Sequence, residues 1–168
     1  MNRTIMFFGA HADDMELRAA GTMRKFVEMG YRAVSVMMTN NICGAYVNDN
    51  TDQYFSTGPE ETQAIRHREA LAAAEVLGVE VLFLDYQEGS YFNGTERVYF
   101  GTDAYDSKNT IGKEPLLVAQ SLEHCMQNVA QILVEYAPEI VIAHSVGNCS
   151  AEHCAAGHLT ADAFRCAS

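Results

Sequence analysis

One histidine and two adjacent carboxylates, His11, Asp13 and Asp14, stand together in the stretch Gly9–Asp14, "GAHADD". It follows an apolar run, Thr4–Phe8 "TIMFF", and precedes a helical pattern, Met15–Met29. Ionisable groups where a buried strand stops cost stability unless something uses their charge. Histidine and carboxylate are the ligands zinc takes when a site keeps one position open for water. His11 and Asp14 can serve together at a sharp strand-to-helix turn, leaving Asp13 between them for other work. A divalent cation would neutralise the acidic pair. Acids at a helix N-terminus are also favourable as solvated capping residues, and the stretch alone leaves both readings open.

A third ligand must come from elsewhere. His153, in "SAEHCAAGH" at the start of the last helical pattern, is the best candidate, and His144 at the end of the preceding apolar run is the second. His158 follows His153 by five residues, which turns it roughly 140° away on a helix. His67 and His124 lie within helical patterns among polar neighbours and are expected to face solvent. Zinc suits a hydrolytic site, and a two-histidine, one-carboxylate set also suits ferrous iron. The five cysteines form no CxxC pair, which reads as free thiols in a reducing cytoplasm. Cys149 and Cys154 flank the presumed ligand loop, so a cysteine-containing site is the lesser alternative.

The elements that must position these groups alternate along the chain. Arg3–Phe8, Tyr31–Thr39, Val79–Leu84 and Pro138–Ala143 read as buried strands. Met15–Met29, Glu60–Leu77, Pro115–Tyr136 and Ala151–Cys166 read as helices, with Gly30 and Gly78 as stops. Asn40–Pro59 and Tyr86–Gly112 are polar, Gly-rich connections, the second with a short strand at Arg97–Phe100. Their tyrosines, including Tyr46 and Tyr54, could stack on a sugar ring or pack locally. Near-continuous apolar strands alternating with helices imply an α/β fold. The expected form is a three-layer, Rossmann-like, mostly parallel sheet with helices on both faces. Ligands of such sheets collect at the carboxyl ends of the strands. Each polar cluster falls there: "GAHADD", "NN" at Asn40–Asn41, "DYQEG" from Asp85, and "HSVGN" from His144.

Composition sets further bounds. With 168 residues the chain reads as a single domain, 1–168. Its net charge of −11, from 22 acidic and 11 basic residues, argues against a nucleic-acid partner, which needs basic clusters. No apolar run reaches a membrane span and no secretory leader is visible, so the expected location is the cytoplasm. Homo-oligomerisation is left open. No GxGxxG follows a strand, so dinucleotide binding is unsupported.

These residues resemble the LmbE-like (PIG-L) zinc de-N-acetylases. "GAHADDMELRAAGTM" is similar to that family's Ala-His-Pro-Asp-Asp box, and "AIRHREALAAAEVLGVEVLFLD" to its Arg-x-x-Glu-Ala helix and following strand. "PEIVIAHSVGNCSAEHCAAGH" is similar, in part, to the block ending in His-x-Asp-His. The resemblance implies that His11, Asp14 and His153 hold a zinc ion and that Asp13 is the general base. It implies that Arg66 faces the substrate, a small N-acetylated sugar of the N-acetylglucosamine type.

The departures lie in particular residues. Ala12 replaces proline, and Met15 stands where many relatives carry glutamate. In the third block Ser150 replaces the first histidine and Glu152 the aspartate, and the chain is short after His153 compared with the family. His144 or His158 could then supply the missing cation beside the reacting carbonyl, with His144 the first choice. Two other functions compete. A metal-binding relative that has lost catalysis would keep the metal and lack turnover. A phosphoacceptor domain would use the acids and Asp85, but it needs a late-strand lysine that "IVIAHSVGN" lacks.

Overall fold

The computed structural model describes residues 3–43, 46–47, 54–55, 59–92, 97–99, 113–148 and 150–167. In chain order the elements are β1 (Thr4–Gly9), α1 (Asp14–Arg18), α2 (Ala20–Glu28), β2 (Arg32–Thr39), β3 (Tyr46–Val47), β4 (Tyr54–Phe55) and α3 (Pro59–Leu77). They continue as β5 (Glu80–Tyr86), β6 (Ser90–Phe92), β7 (Arg97–Tyr99), α4 (Leu116–Ala119), α5 (Glu123–Tyr136), β8 (Ile140–Ala143) and α6 (Ala151–Ala167). The main sheet has four strands in the order β5-β2-β1-β8, every pair parallel. The pairs β3–β4 and β6–β7 form separate two-stranded antiparallel ribbons.

Alternation along β1 shows why the sheet is covered twice. Ile5 and Phe7 point to one face, where they meet Met15 of α1, Met23 of α2 and Ala74 of α3. Met6 and Phe8 point to the other, against Leu116 of α4, Val129 of α5 and Leu159 of α6. This is the three-layer α/β architecture that the apolar runs imply. Emptying the middle layer at Phe8 by substitution with alanine would cost about 3–5 kcal/mol. Among the described residues no helix is long and apolar enough to cross a membrane.

Two expected helices are each divided. Met15–Met29 becomes α1 and α2, which break at Ala19 with φ −139°. The amide of Ala19 still reaches Met15 and that of Met23 reaches Ala19, so the axis jogs without orphaning those donors. The jog follows from two anchors: Asp14 is tied to the sheet edge while Met23 lies in the core beneath the sheet. Pro115–Tyr136 becomes α4 and α5, with Leu122 extended between them. Just before it, the Gln120 amide donates to Leu117 O and the Ser121 hydroxyl to Val118 O. Such local side-chain bonds compete with continued helix. Gly30, at φ +83°, takes the left-handed conformation expected after α2.

Tyr86, the first aromatic of the second connection, is buried in the core and offers no face to a sugar. The side chains of Tyr46 and Tyr54 are not among those described, and neither is Cys149. The cysteines that are described, Cys43, Cys125, Cys154 and Cys166, are free thiols.

Candidate metal centre

The end of β2 grips the loop that carries His11. Thr39 donates to Ala10 O through both its amide, 2.9 Å, and its hydroxyl, 2.7 Å. Asn41 accepts the Ala12 amide at 2.7 Å and donates to Thr39 O at 2.8 Å. It does so in the left-handed region, φ +58°, which asparagine tolerates better than most residues. "NN" is therefore structural support for the site: Asn41 fixes the β1 loop, and Asn40 accepts the Glu88 amide at 3.2 Å.

Asp14 folds back over this loop. Its Oδ2 accepts the His11 amide at 2.8 Å, and Gly9 leaves room, since a Cβ there would lie 3.0 Å from Asp14 Cβ. His144, at the end of β8, places Nε2 2.8 Å from the same Oδ2. From α6, His153 brings Nε2 within 3.2 Å of Asp14 Oδ1 and 3.2 Å of His11 Nδ1. His11 Nδ1 lies 3.7 Å from Asp14 Oδ2. α6 sits close enough to deliver His153 because Gly157 lies on the His144 carbonyl; a Cβ there would come within 2.5 Å of that oxygen. The rings of His144 and His153 stack with centroids 4.0 Å apart.

These separations fit a cation. Ligands about 2.0 Å from a tetrahedral zinc lie roughly 3.3 Å from one another. His11, Asp14 and His153, far apart in sequence, present one nitrogen or oxygen each at nearly that spacing. The sequence reading brings these three together, and the structure puts them at one point of the sheet edge.

Asp13 is exposed at the N-cap of α1, without a side-chain capping bond. It lines a cavity of about 340 Å³ together with His11, Asn41, Cys43, Arg66, Glu88 and Glu152. Arg66 reaches that cavity from α3 and also pairs with Glu69 at 2.8 Å, so the local ion pair and the cavity position coexist. His144 does not line it. His144, expected to supply positive charge beside the reacting carbonyl, instead turns Nε2 onto Asp14, because β8 ends behind that carboxylate. His158 is exposed, as its helical phase predicts, and so is His124, which pairs with Glu114 at 2.8 Å. His67 corrects the solvent-facing expectation: it stacks on Phe83 with centroids 3.8 Å apart and lies 3.3 Å from Asp85. Phe83 is only partly buried by the sheet, and the imidazole covers it.

Two further carboxylates were legible only as part of strand-end clusters or as departures. Glu152 Oε2 lies 3.2 Å from His11 Nε2, and its Oε1 accepts the Gly89 amide at 2.7 Å. Glu88 Oε1 lies 3.5 Å from the same nitrogen, while Oε2 accepts the Cys43 amide. An acid at the carboxyl end of β5 was the available signal for Glu88.

The electrostatics follow this geometry. Burial alone would lower the His11 pKa, but Glu152, Glu88 and Asp14 together raise it to about 9. Burial pushes Glu88 up, and only in part do His11 and the Cys43 amide oppose it, leaving it at about 7. Burial raises Asp14 and Glu152 as well, yet each ends below its usual value: His144 and the His11 amide hold Asp14 down, and His11 holds Glu152 down. Burial keeps His153 below the ordinary histidine value despite Asp14. A neutral His153 and an ionised Asp14 suit a metal ligand set, whereas His11, raised to about 9, has a proton to give up before Nδ1 can bind one.

The fold and this cluster define a Rossmann-like α/β protein with a histidine–carboxylate cluster, spaced so that it could hold a cation, at the carboxyl edge of its sheet. Residues 6–164 match the PIG-L family, described as GlcNAc-PI de-N-acetylase, and the chain belongs to that family. Among solved structures, the 4-carboxy-2-hydroxymuconate hydratase GalB of Pseudomonas putida KT2440 is 21% identical with a TM-score of 0.66, covering 97% of this chain and 55% of that one. The N,N'-diacetylchitobiose deacetylase of Pyrococcus horikoshii, complexed with an inhibitor, is 20% identical with a TM-score of 0.64, covering 97% and 48%. A teicoplanin deacetylase in a zinc-inhibited form is 13% identical with a TM-score of 0.63, covering 98% and 62%. The chain thus spans roughly half to three-fifths of the length of these structures, with which it shares the fold.

Proposed function

We propose that the protein is a metal-dependent amide hydrolase that removes the acetyl group from a small N-acetylglucosamine-type sugar conjugate. The observation carrying this reading is the spacing of His11 Nδ1, His153 Nε2 and the Asp14 carboxylate, with Asp13 uncommitted at the rim of the adjoining cavity. Family membership and the deacetylases among the similar structures support it.

His11, Asp14 and His153 would hold the cation, with zinc favoured over ferrous iron because hydrolysis needs no redox chemistry. When bound there, such an ion supplies an acidified water and draws electron density from the amide carbonyl. Asp13 takes a proton from the water as its oxygen bonds to the carbonyl carbon. The carbon–nitrogen bond then breaks, and Asp13 returns that proton to the leaving nitrogen, giving acetate and a free amine. Arg66, in the same cavity, orients the sugar through hydrogen bonds from its guanidinium. His144 holds Asp14 in place through Oδ2, a positioning task.

Elemental analysis of the purified protein and a free-amine assay over a panel of N-acetyl sugars test the proposal. His11→Ala and His153→Ala are expected to lose bound metal. Metal retention with no amine released from any sugar would favour the reading as a binding relative without turnover, which Ser150 in the third block suggests. Absence of bound metal in the parent would overturn both.

A further inference from the structure

His11 has two ring nitrogens, and the protein treats them differently. Nδ1 faces the His153 nitrogen and Asp14, whereas Nε2 faces two carboxylates, Glu152 at 3.2 Å and Glu88 at 3.5 Å. An ionised carboxylate only accepts hydrogen bonds, so a proton on Nε2 suits the Glu152 oxygen at 3.2 Å, with Glu88 beside it, and a lone pair there would oppose Glu152. We propose that Glu152, backed by Glu88, is a positioning residue for the metal centre: it holds the proton on His11 Nε2 and so commits Nδ1 to the cation. This rests on the cation-binding reading above.

Three observations support the assignment. Glu152 is itself anchored, because its second oxygen takes the Gly89 amide at 2.7 Å. Glu88 is anchored by the Cys43 amide, and its own backbone by Asn40. Glu152 and His153 are successive residues in the first turn of α6, so one helix end addresses both nitrogens of the same imidazole. Side chains that accept the free N–H of a metal-bound histidine fix its tautomer and orientation, and losing them typically weakens metal binding 10–100-fold.

The test is a zinc titration of metal-free full-length protein against a competing chelator, with long-range proton–nitrogen correlation spectra of the zinc-loaded, histidine-labelled parent. Glu152→Ala is expected to weaken zinc binding by about 10–100-fold. Glu152→Gln, which keeps one accepting oxygen, should lose less. The spectra should show the His11 proton on Nε2 and the metal shift on Nδ1. Circular dichroism and thermal unfolding with each variant establish that it folds. Parent-like zinc affinity in folded Glu152→Ala, or a His11 proton found on Nδ1, overturns the proposal. A parent that binds no zinc overturns it together with the cation-binding reading. A parent that binds zinc in this pattern but leaves N-acetyl sugars intact sinks only the proposed activity.

Discussion

His144 Nε2 and Asp14 Oδ2 are 2.8 Å apart, and the two side chains are only 5% and 4% exposed. So little water reaches them that removing His144 strips Asp14 Oδ2 of one of its two close hydrogen-bond partners, leaving the His11 amide, at a cost of roughly 1 kcal/mol. His144→Ala should therefore unfold at a lower temperature and bind zinc more weakly, since Asp14 loses the group that orients it. Thermal unfolding with and without zinc measures both effects. Unchanged affinity and unchanged melting would remove His144 from the supporting frame.

Asp13 separates metal binding from chemistry. Asp13→Asn leaves all three presumed ligands untouched, so bound metal should stay at the parental level. Turnover should fall by about 10²–10⁴-fold, the usual contribution of a positioned acid–base group. A rate within a few-fold of the parent would show that another group moves the proton.

Stability of the metal-free protein should fall as pH rises. Folding raises His11 from 6.5 to about 9 and Glu88 from 4.5 to about 7, so both hold protons more tightly folded than unfolded. Their contribution is complete below the unfolded values and is lost as pH passes through the raised ones. His153 and His67, shifted below 6.5, act in the opposite direction, but only beneath that value. Asp14 and Glu152 act in the opposite direction beneath 3.8 and 4.5. Between pH 6.5 and about 9 the decline should be least masked, and melting temperatures across that window measure it. Excess zinc should raise the melting temperature most at the alkaline end, because binding needs deprotonated ligands. A flat apo profile would contradict the crowding of acids around His11.

Asn41 combines two buried hydrogen bonds with a left-handed backbone. Asn41→Ala loses both bonds and keeps the conformational strain, whereas Asn41→Gly relieves the strain and loses only the bonds. Alanine should therefore cost about 1 kcal/mol more than glycine, as read by denaturant unfolding. Equal losses would mean that the backbone relaxes out of this conformation.

The strands, their parallel direction and the common edge, though not the order β5-β2-β1-β8, were legible because apolar runs and stop signals are local. The same holds for His11, Asp14 and His153, whose residue types restrict what they can do. Glu88 and Glu152 were not legible as partners of His11, since which carboxylate reaches which ring nitrogen depends on β5, α6 and β1 converging. The inward phase of His67 is not legible for a related reason. Its polar neighbours along the helix suggested solvent, but its partner is Phe83, a residue of the adjoining strand. The breaks at Ala19 and Leu122 likewise arise from tertiary anchors and from side chains bonding to the backbone, not from any helix-breaking residue.

β8 has a consequence for how the centre responds to its surroundings. It pairs only with β1 among the described strands of the main sheet, its four residues are all partly exposed, and the chain runs directly from it into His144. Among the described residues no strand covers its outer rim, the kind of edge along which a further strand can add. Zippering along that rim would dictate where the backbone before His144 rests, and so how firmly the imidazole presses on Asp14. Occupancy of that outer border would then be felt as a change in how firmly Asp14 is held.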